Sequence, residues 1–191
     1  MVDFTDDEDS LCGFVRSVGN TGGGDFEECY ELVLSEAHER LTWRKGAQKS
    51  LVVIGDATPH KVRSILATPT RFPGDRLASF LQPSYPLNTR NLDWRKECAT
   101  LKQKEIKIYS VQALNRSIST CFYREMATLT DGFHLFLDQF SSIVNFMMAI
   151  CYREQGLDQL QVYENEVSLE NLKRGSRIPR KSYRDRLKGE P

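Results

Sequence analysis

Asp56 and His60 hold positions in this sequence that suit binding chemistry. Asp56 follows Gly55 at the end of an apolar stretch, and His60 lies in the loop that continues from it. Ligands of open α/β sheets bind just outside the carboxyl ends of the strands, where a carboxylate can bind a cation or a protein partner. The alternative is that Asp56 only caps the turn. For His60, anchoring of the loop is favoured over metal ligation, because hard cations select oxygen.

A glycine-rich segment contributes two further candidates, Thr21 and Asp25. Such a loop brings backbone amides close to a ligand. It lacks the Lys-Ser/Thr ending of a nucleotide-binding P-loop. The sequence also lacks the G-x-S-x-G turn of an α/β hydrolase. These two enzyme classes are therefore disfavoured.

The cysteines and the other histidines do not suggest catalysis. The five cysteines are scattered, odd in number and without a C-x-x-C pair, which argues against a disulfide framework and a zinc site. Cys121 and His134 could form a thiol–imidazole pair, but no third orienting group is evident, so packing is favoured. His38 has charged neighbours in a predicted helix and is expected to face solvent.

Composition and charge limit the partners further. The 191 residues are 40% hydrophobic and 27% charged, as in an ordinary globular protein, and their formal net charge is zero. No overall field therefore attracts nucleic acid or an acidic membrane. The sequence shows no signal-peptide core and no apolar run of membrane-spanning length. Together with the scattered cysteines, which do not form a disulfide framework, these features predict a reducing, cytoplasmic location.

Predicted helices and strands alternate along the chain. The apolar run 51–54 predicts a strand buried on both faces, as in a parallel sheet. Apolar spacing predicts helices over 11–18, 27–41, 91–104, 118–129 and 143–154, and strands over 106–114 and 133–137. This order predicts an α/β fold, namely a Rossmann-like, open, mostly parallel sheet with helices on both faces.

The chain divides on composition into an acidic lead-in over 1–9, the α/β domain over 10–156 and a docked segment over 157–172. The basic stretch 173–191 is expected to be a disordered tail. Tyr183 is its one aromatic residue. A solvated linker is therefore favoured over a nucleic-acid-binding segment.

Several ordered motifs together resemble a known family. They are the glycine-rich loop, Trp43 near a helix end, the IGDA strand end, the I-x-I-Y-x-V strand and the A-x-L-T-x-G-x-x-x-x-L turn. Over roughly residues 10–155 the sequence resembles the C-terminal two-thirds of a von Willebrand factor A domain, of the intracellular type with a GGGD-x-x-E loop. This resemblance implies a doubly wound sheet with a metal-ion-dependent adhesion site at its strand ends.

The resemblance also implies which residues serve that site. Family members bind Mg²⁺ through a first-strand D-x-S-x-S motif, a loop Thr and a strand-end Asp. Asp56 matches the strand-end Asp, Asp25 stands at or near the Thr position, and Thr21 is a second candidate for it. The D-x-S-x-S motif is absent from this sequence. The resemblance therefore implies an incomplete site, since two carboxylates without the hydroxyl cluster make a poor magnesium cage.

The missing first strand has a structural consequence. In the family it lies beside the strand that corresponds to 51–54, so that strand is expected to expose an apolar edge here. We expect a truncated product, an alternative isoform, or a chain that another polypeptide completes. Self-association through this edge is a further expectation.

The sequence therefore predicts a non-enzymatic protein-interaction module resembling a von Willebrand factor A domain. A protein partner is expected to bind at Asp25, Asp56 and His60, or along the exposed edge by strand addition. The alternative is a regulatory or scaffolding segment of a larger enzyme, such as a kinase or an ATPase, that contains this domain. No nucleic-acid or membrane partner is expected.

Overall fold

The computed structural model describes residues 1–19, 26–60, 90–114, 116–137 and 143–173. Within these ranges it contains six helices and five strands. Their order is α1 (Glu8–Ser17), β1 (Glu27–Glu28), α2 (Tyr30–Glu39), β2 (Lys49–Gly55), β3 (Thr58–Pro59), α3 (Trp94–Gln103), β4 (Ile106–Gln112), α4 (Ser117–Leu129), β5 (Phe133–Phe136), α5 (Ile143–Gln155) and α6 (Leu157–Lys173).

These elements form two compact units. Unit 1 comprises residues 1–47 and 57–104, and unit 2 comprises residues 48–56 and 105–191. Unit 1 contains the short pair β1–β3, and unit 2 contains the sheet β2–β4–β5.

The sheet of unit 2 is parallel throughout. β2 pairs with β4 from Lys49 opposite Ile106 to Gly55 opposite Gln112. β4 pairs with β5 from Tyr109 opposite Phe133 onwards. The predicted α/β fold with an open parallel sheet is confirmed, as are the strands predicted around 51–54, 106–114 and 133–137.

Helices cover both faces of β4. On one face, the Ser110 hydroxyl donates to the carbonyl of Tyr123 in α4 at 2.7 Å. On the other face, Tyr109 and Val111 join a buried cluster with Phe146 of α5 and Leu160 of α6. This arrangement follows from the strand period of two, which sends successive side chains to opposite faces. The predicted placement of helices on both faces holds in unit 2.

Unit 1 is built mainly on two helices. α2 packs against α3, and Leu34, Cys98 and Leu101 are fully buried. Asp93 caps α3 by accepting a hydrogen bond from the Arg95 amide at 3.0 Å. The indole nitrogen of Trp43 donates to the Ala37 carbonyl at 2.8 Å, so this ring lies near the end of α2 as predicted.

Some boundaries differ from the predictions. Glu27 and Glu28 form β1 instead of the first turn of α2, because they pair with Thr58 and Pro59. The helix predicted over 11–18 is present as α1, but none of its residues is buried. The segment predicted to dock, 157–172, is helical and lies within α6. The tail predicted to be disordered lies outside the described residues from residue 174 on. In the described part of the chain, no helix combines the length and apolar content needed to cross a bilayer.

Candidate functional site

β2 is an edge strand of the sheet in the described part of the chain. β4 is its one partner there, whereas β4 itself lies between two strands. Ile54 of β2 is 47% exposed, while Val53 is 6% exposed. All but one of the residues of β4 are buried. The strand predicted to be buried on both faces is therefore only partly buried within the described residues.

The direction of the backbone groups of β2 follows from one hydrogen bond. The Gly55 carbonyl accepts from the Ala113 amide at 2.7 Å, so the backbone of Gly55 faces β4. In a parallel ladder the N–H and C=O of one residue point to the same side, and sides alternate along the strand. The backbone groups of Ser50, Val52 and Ile54 therefore point away from β4.

Asp56 follows β2 directly, as predicted. Its Oδ2 lies 3.5 Å from Nη1 of Arg116, and the two side chains are 39% and 51% exposed. An ion pair of this exposure contributes little to stability, since water competes for both charges. The pair does place a cation beside the carboxylate at the strand end.

The resemblance implies an incomplete magnesium site, and Asp56 is the one of its three candidate ligands that the structure describes. Thr21 and Asp25 lie outside the described residues. Asp56 is described, but a single carboxylate opposite a guanidinium does not supply the several oxygen ligands that Mg²⁺ requires. The described residues alone therefore do not fit this ion.

His60 belongs to a different group of side chains, within unit 1. β1 and β3 pair in parallel, with Glu27 opposite Thr58 and Glu28 opposite Pro59. Continued by one residue, this register places Cys29 beside His60. α2 begins at the next residue, and Glu31 in its first turn joins them.

These three side chains form a compact cluster. One ligand atom of each, namely the thiol sulfur of Cys29, a carboxylate oxygen of Glu31 and a ring nitrogen of His60, lies within 4.8 Å of the other two. Glu31 Oε1 and His60 Nδ1 are 3.3 Å apart. The three donor types, sulfur, nitrogen and oxygen, are those of borderline-soft metal ions.

Glu31 is the most deeply placed member of the cluster. It is 1% exposed, and neither of its carboxylate oxygens completes a well-aligned hydrogen bond with a described residue. Burial raises the pKa of the Glu31 carboxyl above its usual range, and the nearby backbone and the His60 imidazole oppose this shift only in part. A buried carboxylate in this state costs free energy unless a cation or proton balances it.

Sequence reasoning found His60 but missed Cys29 and Glu31. Glu31 lies near the start of the helix predicted over 27–41, where an exposed carboxylate that favours the helix dipole is typical, and it is buried instead. A weak indication existed, since Cys29 holds the N-cap position that Ser, Thr, Asp or Asn usually occupies. The pairing register of β1 and β3, which brings the cluster together, cannot be read from two-residue strands.

The other two histidines have structural surroundings. His134 is stacked with Tyr123, the ring centroids lying 6.3 Å apart, in agreement with the packing role we favoured. The prediction for His38 was wrong. Its side chain is 8% exposed, and its Nε2 lies 2.7 Å from the carboxylate of Glu97 in α3.

Comparison with known proteins adds no assignment to these observations. The sequence matches no model of a known protein family. It also has no significant match among curated proteins.

Proposed function

We propose that this chain is a non-enzymatic protein-interaction module, with the architecture of a von Willebrand factor A domain, that binds an extended segment of a protein partner along β2. The observation that supports this most directly is the edge position of β2 within the described sheet. None of the five cysteines, all of which the structure describes, forms a disulfide bond, and this suits the reducing, cytoplasmic setting that we propose with it.

Strand addition matches the chemistry of this edge. The backbone groups of Ser50, Val52 and Ile54 point outward and offer donors and acceptors to a further strand. Main-chain hydrogen bonds of this kind provide affinity, and alternate side chains provide specificity. The exposed Ile54 favours a partner segment with apolar residues at alternate positions.

Asp56 extends this proposed interface. It lies two residues after the outward-facing Ile54, and its partner Arg116 is half exposed. A polar residue that follows the added strand could contact either charge. Of the other predicted rim residues, Asp25 lies outside the described residues and His60 belongs to the cluster in unit 1.

The substitution Ile54→Pro tests the proposal. Proline lacks the outward N–H and is tolerated on a free strand edge, so the fold should persist while an added strand loses a hydrogen bond. The matched control is Ile54→Thr, which changes the side chain but keeps both the β-branch and the amide. Circular dichroism and thermal unfolding establish that both variants fold.

The probe is a phage-displayed library of extended ten-residue peptides. We expect selected peptides to bind wild type and Ile54→Thr, and to bind Ile54→Pro at least tenfold more weakly by calorimetry. They should also slow amide exchange at Val52 and Ile54. Failure to select any peptide, or binding that Ile54→Pro leaves unchanged, would refute the proposal. A concentration-dependent dimer of wild type that Ile54→Pro abolishes would show that a second copy is the occupant instead.

A further inference from the structure

We propose that Cys29, Glu31 and His60 form a zinc-binding site in unit 1. Their donor atoms are mutually within 4.8 Å, and the carboxylate of Glu31 is buried among them. The site is distinct from the oxygen-ligand site that the family resemblance implies. Zinc binding at this site does not depend on strand addition at β2. An experiment that refutes one of the two proposals therefore leaves the other standing.

The geometry needs little adjustment to accept the ion. In a tetrahedral site with bonds of about 2.0 to 2.3 Å, donor atoms lie about 3.3 to 3.8 Å from one another. Glu31 Oε1 and His60 Nδ1 are already 3.3 Å apart. The remaining donors would move closer by about an ångström at most, which side-chain rotation at Cys29 and His60 can supply.

The charge of the cluster also favours a cation. The Glu31 carboxylate is 1% exposed, and its oxygens make no well-aligned hydrogen bond to the described residues. A divalent ion would balance this charge directly. Cys29 would bind as the thiolate, and its proton would pass to solvent on binding. An entry path exists, because the His60 side chain is 22% exposed and Cys29 is half-buried.

The donor set selects the metal class. Mg²⁺ and Ca²⁺ take oxygen ligands and would leave the sulfur and nitrogen of this cluster unused. Zn²⁺ combines thiolate, imidazole and carboxylate ligands in one tetrahedral site. Three protein ligands leave the fourth position to water.

Titration of the full-length chain with Zn²⁺ alone, and with Co²⁺ as its spectroscopic substitute, tests the proposal. We expect one Zn²⁺ per chain with micromolar or tighter affinity, measured in competition with a chromophoric chelator. Co²⁺ should give the visible bands of a tetrahedral site and a sulfur-to-cobalt charge-transfer band in the near ultraviolet. No binding tighter than millimolar would overturn the proposal.

Substitutions identify the ligands. Cys29→Ser should abolish the charge-transfer band, and His60→Gln and Glu31→Gln should each weaken Zn²⁺ binding at least tenfold. The matched controls are Cys12→Ser, which alters an exposed cysteine, and His38→Gln, which alters a histidine paired with Glu97. Both controls should bind like wild type. Equal losses in the control and test variants would exclude this site.

Cysteine alkylation of the wild-type chain tests the site without any substitution, so the test still applies if a variant does not fold. Zn²⁺ should protect Cys29 from alkylation by iodoacetamide, as mapped by mass spectrometry, and should leave the exposed Cys12 and Cys121 reactive. Uniform protection of all cysteines, or none at Cys29, would contradict the assignment.

Discussion

At the scale of single residues, Thr130 links a turn to the sheet of unit 2. Pairing between β4 and β5 begins at Tyr109 opposite Phe133, so the amide of Ile108 precedes the ladder. That amide donates to the Thr130 hydroxyl at 3.0 Å. The hydroxyl in turn is placed to donate to the carbonyl of Ala127 at 3.1 Å. Thr130 is 2% exposed, so water cannot replace it.

Thr130→Val removes this acceptor while keeping the shape of the side chain. The Ile108 amide would then be buried without its partner, and the free energy of unfolding should fall by about 1 to 3 kcal/mol. Thr130→Ser is the control, because it keeps the hydroxyl and loses only a methyl group. By NMR, amide exchange at Ile108 should accelerate in Thr130→Val and remain slow in Thr130→Ser. Equal exchange rates in the two variants would refute this role.

His134 makes the stability of unit 2 depend on pH. Burial, reinforced by the positive charge of Arg124, lowers the pKa of His134 from 6.5 to about 4. Between these two values the unfolded chain takes up a proton that the folded chain does not. Stability should therefore fall as the pH is lowered from about 6.5 towards 4, and this contribution is absent above pH 6.5.

His134→Gln removes the titrating group but can still donate to Oε1 of Gln112, which lies 3.3 Å from the ring in the wild type. Urea unfolding at a series of pH values measures the free energy of unfolding. Between pH 6.5 and 4 it should fall by about 1 to 3 kcal/mol more in the wild type than in the variant. Carboxylates that titrate in both proteins cancel in this difference. Parallel pH profiles would show that His134 is not the cause.

At the scale of elements, the turn between α4 and β5 depends on a close approach of two backbones. The Gly132 amide donates to the Ala127 carbonyl at 2.9 Å, which directs the chain back towards β4. A Cβ atom at residue 132 would lie 1.9 Å from the Ile108 carbonyl oxygen. The glycine of the A-x-L-T-x-G motif is therefore required by packing between the turn and the strand.

Gly132→Ala should destabilise the protein by about 1 to 3 kcal/mol, because the backbone of β4 or of the turn must shift. Gly13→Ala is the matched control, since Gly13 lies inside α1 with no atom within 4 Å of the added Cβ. There alanine should stabilise the helix by about 0.5 to 1 kcal/mol. Denaturant unfolding of both variants measures the contrast, and a neutral effect of Gly132→Ala would be inconsistent with the close approach.

At the scale of the whole molecule, the fold class was predictable where periodicity is strong. The apolar runs around Leu51 and Leu135 and the alternating pattern around Ile108 identified the three strands described in the unit 2 sheet, because both patterns are typical of strands with at least one buried face. The pair β1–β3 was missed, since two residues carry no period and Glu27 and Glu28 are typical of a helix start.

The candidate sites were less predictable than the fold class, because a local pattern shows only which residues are neighbours along the chain. Asp56 follows its strand in sequence, so its position at the strand end could be anticipated. The cluster joins Cys29 and Glu31 to the distant His60, and the pair of His38 and Glu97 likewise joins residues that are far apart along the chain. Such contacts depend on tertiary packing, and no local pattern reports them.

The order of strand pairing bears on how unit 2 folds. Tyr109 pairs with Phe133, whereas Lys49 pairs with Ile106, so the second contact closes a loop more than twice as long as the first. The entropy lost on closure grows with loop length, and long-range pairing slows the search for the native state. We therefore expect β4, α4 and β5 to assemble as an early nucleus and β2 to dock late, which leaves one side of β4 transiently open to misassembly.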